Sequence, residues 1–168
     1  MFKLTLTTLL IGFLLAACAT PPAGAPEASE TALPLGATAT APPKSELPAE
    51  AAIIYRRSGG IAGREETWTI YPDGRVTKTL QPQGEKVWQV PATDVAALLS
   101  RLDELGFFAL SGSYMPLDTC CDRITYDIEA RSGTQVNHVV TLDAAPNVPD
   151  KLWQAIDALN AFTGQFEG

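Results

Sequence analysis

Arg64 to Leu80 reads REETWTIYPDGRVTKTL, and this stretch decides the fold. Trp68 and Ile70 alternate with Thr67, Thr69 and Tyr71, the period of two that marks a half-buried strand. Pro72-Asp73-Gly74 follows as a tight turn, because proline presets its backbone angle and glycine accepts a positive one. Arg75 to Leu80 then returns antiparallel to the first strand. Working outward, Ala52 to Arg57 reads as a strand before this hairpin, and Lys86 to Val90 as a short strand after the Gln83-Gly84 turn. From Pro91 to Leu105 the period changes. Val95, Leu98, Leu99, Leu102 and Leu105 recur at three and four, with Thr93 and Asp94 as start signals and Gly106 as a stop. A loop follows Phe107 and Phe108. Arg123 to Ala130 and Gln135 to Leu142 then form a second hairpin around Ser132-Gly133, and a last helix runs from Pro149 to Phe162. The order βββ(β)αββα predicts an α+β domain, with an antiparallel sheet of five to six strands and both helices packed on one face.

The rest of the 168 residues differ in kind. Met1 to Ala17 carries one charge, Lys3, ahead of an apolar run from Leu4 to Leu15, the pattern of an export signal and too short to span a bilayer. It ends in Leu15-Ala16-Ala17-Cys18, which resembles the lipobox of bacterial lipoproteins. The resemblance implies cleavage after Ala17, diacylglycerol on the Cys18 thiol, and membrane attachment through lipid. Ala19 following the cysteine, rather than an aspartate, implies the outer membrane, with the domain facing the periplasm. Residues 18–50 are rich in Ala and Pro and lack aromatics, so they read as a disordered tether, leaving 51–168 as the globular domain. The formal charge of −7 lacks the basic footprint of a nucleic-acid binder.

Ser58-Gly59-Gly60-Ile61-Ala62-Gly63 is the most conspicuous local feature. Phosphate-cradling glycine loops lie between a strand and a helix, whereas here both neighbours read as strands. The loop is therefore either a simple hairpin turn or a rigid, exposed surface offered to a partner protein. The stretch Tyr55 to Gly63, YRRSGGIAG, resembles the opening signature of the emfourin group, small proteins named for an inhibitor of a thermolysin-family metalloprotease. Asp122 to Ile128, DRITYDI, is similar to that group's second signature. The resemblance spans roughly 53–160 and implies a non-enzymatic binding domain acting on a metalloprotease. The lipid anchor, the Thr-rich hairpin and a Cys pair depart from the group's usual form.

Cys120 and Cys121 are the other two of the three cysteines. Adjacent Cα atoms lie about 3.8 Å apart, below the usual disulfide range, so a bond between them is strained. Three readings stay open: a vicinal disulfide, free or intermolecular thiols, and a thiolate metal site, the last ill-matched to zinc spacing. His138 is the only histidine and alternates with Val136, Val140 and Leu142, a packed or edge-strand position without a nucleophile motif. Glu65-Glu66, Asp103-Glu104, Asp118 and Asp122 read as solvated carboxylates at turns, helix surfaces and strand edges; Asp118 and Asp122 in one loop leave weak calcium binding open, without the regular spacing of a calcium loop. The chain thus reads as a cell-envelope lipoprotein with a binding module, without catalytic residues, metal, cofactor or small-molecule substrate. The competing reading is a structural or assembly lipoprotein that never meets a protease.

Overall fold

A computed structural model of the chain describes residues 45–167. The elements are β1 (Ile53–Gly59), β2 (Arg64–Ile70), β3 (Arg75–Leu80), β4 (Gly84–Gln89), α1 (Ala92–Glu104), a single 3-10 turn (Phe107–Ala109), β5 (Ser113–Tyr114), β6 (Ile124–Ser132), β7 (Gln135–Leu142) and α2 (Asp150–Gly164). The α+β class is as expected, but the sheet is larger. Its seven strands lie in the order β4-β3-β2-β1-β6-β7-β5. The sheet is also mixed, because β5 pairs parallel to β7 while every other pair is antiparallel. Sequence gave no sign of β5: two residues have no period, and the loop reading of 109–122 absorbed them.

One face of the sheet carries the core. The register aligns Ile53 with Ile70 and Ala130, and Tyr55 with Trp68 and Ile128, so alternate residues of the central strands meet on one side. Val95, Leu98 and Leu102 of α1 and Leu152, Ala155, Ile156 and Leu159 of α2 close over them, so both helices cover the same face. Burying each large apolar side chain in this way contributes roughly 1.5–3 kcal/mol. Tyr55 is fully buried, with its hydroxyl donating to Asn160 Oδ1 at 2.8 Å. Burial pushes its hydroxyl well above the ordinary tyrosine pKa. The start signals of α1 need a correction: Pro91 occupies the cap without a side-chain bond, and Asp94 lies inside the first turn, where its charge complements the helix dipole. The stop holds, with Gly106 N–H donating to Asp103 O at 2.7 Å.

The opposite face is polar and Thr-rich, with Thr67 opposite Thr79 and Thr69 opposite Thr77. Part of it is covered by residues 45–51, most of which the sequence assigns to the tether. Leu47 and Ala51 are buried against Ile54, and the stretch is bonded at both ends. Ser45 Oγ and Glu46 N–H both donate to the buried Glu129 carboxylate, and Arg131 Nη1 donates to Pro48 O at 3.2 Å and Ala49 O at 2.6 Å. A lone leucine in an Ala/Pro stretch carries no periodicity, so only the packing of Leu47 on Ile54 and the bonds of its neighbours to Glu129 and Arg131 reveal that the stretch belongs to the fold. Cys18 and residues 1–44 lie outside the described residues.

Candidate functional site

Strand register gathers three loops at one end of the sheet. β1 meets β2 at Gly59 and Arg64, β3 meets β4 at Leu80 and Gly84, and β6 begins at Ile124, opposite Gly59. The β1–β2 turn, the β3–β4 turn and the Cys120–Cys121 loop therefore share that end. Of the glycine loop picked out by sequence, Ser58 and Gly59 complete β1, while Gly60, Ile61, Ala62 and Gly63 make the turn.

One hydrogen bond fixes this turn to its neighbour and a second closes the turn on itself. Gly60 N–H donates to Arg123 O at 3.1 Å, and Gly63 N–H closes the turn on Gly60 O at 2.9 Å. At Gly59, φ is +93°, and a Cβ built there would stand 2.6 Å from Arg123 O, so only glycine fits the approach. The result is a braced turn that holds Ile61 out with 90% of its surface exposed. Leu117 is fully exposed and Met115 partly so on the adjoining loop. That loop is braced too. Cys120 and Cys121 are joined as a vicinal disulfide, Asp118 Oδ1 accepts from Cys120 N–H at 2.9 Å, and the Arg123 side chain donates to Cys120 O at 3.2 Å and to Asp118 O.

Beside the glycine turn lies a cleft of about 510 Å³, which sequence did not reveal. Trp88 and Phe166 form an aromatic wall, their ring centroids 5.1 Å apart and both packed on buried Trp68. Such pairs contribute about 0.5–1.5 kcal/mol each beyond area burial. Next to them Glu66, 1% exposed at the side chain, corrects the expectation of a solvated strand-edge carboxylate. Its register places it on the core side, and three cations hold it: Arg57, Arg64 at 3.0 Å and Lys78 at 2.9 Å. Burial pushes the Glu66 carboxyl up, but hydrogen bonds from Lys78 and Arg64 and the charge of Arg57 outweigh it and keep the group below its ordinary value. A carboxylate held ionised in this way is an anchor for cations and not a proton donor. Glu167 completes the cluster, accepting from Lys78 at 2.8 Å and Arg57 at 3.0 Å.

Of the remaining sequence candidates, Glu65 borders the cleft and Asp122 belongs to the Cys120–Cys121 loop, whereas Asp103 and Glu104 lie on α1 and His138 lies elsewhere on the sheet. His138 sits on the opposite face, Nε2 at 3.0 Å from Asp127, which also pairs with Arg56 at 3.3 Å. Among the described residues its ring has no other hydrogen-bond partner, so no nucleophile is poised on it. Among the described residues no three His, Cys, Asp or Glu side chains are grouped to hold a metal ion. The Cys pair was visible as residue types, but the cleft could not be seen, because Glu66, Lys78, Trp88 and Phe166 come from four different elements or segments. Compared with protein-family models and with curated proteins, the sequence matches none, so the likeness to the emfourin group stands on the two quoted stretches alone.

Proposed function

We propose that the chain is a lipid-anchored envelope protein whose domain binds a partner protein through the loop end of its sheet, and that the partner is a thermolysin-like metalloprotease. The observation that carries the reading is the braced glycine turn: Gly60 N–H is bonded to Arg123 O, Gly59 packs too close to that oxygen for any other residue, and Ile61 stands 90% exposed. A preorganised loop with an exposed apolar tip loses little entropy on docking, and this is how an inhibitor can act without catalytic groups. The neighbouring apolar residues Leu117 and Met115 extend the same surface.

Titration of the full chain, in mild detergent, against a thermolysin-like protease is expected to inhibit it at or below micromolar concentration. Ile61→Asp should weaken that inhibition by about tenfold or more, as for other exposed anchors. Absence of inhibition, or prompt cleavage of the chain as a substrate, overturns the reading. The anchor has a separate test. Among the described residues no helix is long and apolar enough to cross a membrane. In this reading the chain is attached through Cys18. Cys18→Ser is expected to abolish incorporation of labelled fatty acid and to release the chain from membranes; continued labelling would refute lipidation at this position.

A further inference from the structure

β4 is the outermost strand on one side of the sheet, and its outer edge is unpaired among the described residues. Val90 N–H points inward, donating to Gly74 O at 2.9 Å. Alternation along the strand then turns the N–H groups of Glu85, Val87 and Gln89 outward. A row of free donors and acceptors is a template on which another extended chain can pair. Here the edge adjoins the cleft, because Lys86 and Trp88 of the same strand line it.

Charge selects the occupant. In and beside the cleft, Arg57, Arg64, Lys78 and Lys86 face Glu66 and Glu167, and both carboxylates are already bound by the first three cations. Lys86 has no ion-pair partner among the described residues, so positive charge is in surplus although the whole chain is acidic at −7. Glu65 borders the cleft, but strand alternation turns its side chain, like that of Glu85, to the other face.

We propose that the β4 edge and the cleft form one binding site for an extended acidic peptide segment, which adds to β4 as a further strand and sets alternate carboxylates against Lys86 and its cationic neighbours. Backbone pairing supplies the attachment, and the cationic cleft with its Trp88 and Phe166 wall supplies the selection. Ala62 and Gly63 of the glycine turn line the cleft, so the site adjoins the proposed protease surface, but its attachment rests on the β4 edge and is read with a peptide and no protease.

The test uses the full chain in mild detergent and a fluorescently labelled octapeptide of alternating glutamate and threonine, followed by anisotropy. Saturable binding is expected, with the lysine-threonine counterpart weaker by at least about tenfold and Lys86→Glu weakening the glutamate peptide about tenfold. Val87→Pro removes an outward donor and leaves the β3–β4 ladder intact, and should abolish binding while the thermal midpoint stays near that of the parent. Peptides N-methylated at alternate residues, in both possible registers, avoid any question of folding, and one register should lose binding. Equal binding of both methylated peptides and the parent, equal binding of the lysine peptide, or no saturable binding would each overturn the proposal.

Discussion

Gly74→Ala is expected to destabilise the domain by about 3–5 kcal/mol, a large share of the 5–15 kcal/mol typical of a whole domain. Gly74 closes the β2–β3 turn at φ +92°, donating to Tyr71 O at 3.0 Å while its carbonyl accepts from Val90 N–H at 2.9 Å. A Cβ built there would stand 2.0 Å from Val90 O and 3.1 Å from the carbon of the same carbonyl. Neither atom belongs to a flexible side chain, so relief requires moving backbone where β4 runs into α1. Asp73→Ala is the control. It removes one side-chain bond, from Arg75 N–H at 3.0 Å, and is expected to cost about 1 kcal/mol. Urea denaturation of the three proteins decides it, and a Gly74→Ala variant within about 1 kcal/mol of the parent would show that the turn yields freely.

Glu66→Gln should cost about 3 kcal/mol at neutral pH, because it leaves Arg57, Arg64 and Lys78 crowded around a neutral group that they were arranged to bind. The pH dependence distinguishes lost charge from lost shape. The Glu66 carboxyl is held below its ordinary 4.5, so the folded state binds its proton less readily than the unfolded state does. Its contribution is therefore complete above the unfolded value and is lost as pH falls through the lower, folded one. The parent's thermal midpoint should drop more steeply than that of Glu66→Gln once pH falls below about 4.5, and the two curves should converge in acid. Parallel curves across that window would mean that the carboxylate's charge contributes nothing.

The hairpin from Arg64 to Leu80 could be read correctly because every local signal agreed, from the Trp68 and Ile70 alternation to the Pro72-Asp73-Gly74 turn, and the structure keeps both strands and their pairing. Both helices were visible for the same reason. What escaped was decided by long-range partners. β5 is defined by the pairing of Val140 and Thr141 with Ser113 and Tyr114, and residues 45–51 are held by the packing of Leu47 and Ala51 on Ile54 and by bonds to Glu129 and Arg131. The glycine turn was legible as an exposed loop, but its brace on Arg123, 60 or more residues along the chain, was not. Glu66 misled for a physical reason: next to Glu65 it looks like one of two surface acids, yet alternation sends one to each face of the sheet.

The first strand of the domain is also its middle one, flanked by β2 and β6. Tension applied to the chain ahead of Ser45 therefore reaches the sheet first through the bonds to Glu129 and Arg131, and then runs along β1. Pulled lengthwise, β1 cannot be unzipped one bond at a time from a free edge. Its two antiparallel ladders, each running from Ile53 to Gly59, must slide together in shear, so the load is shared across both. A force drawn between the chain ahead of Ser45 and the β1–β2 turn therefore meets a strand bonded along both of its sides.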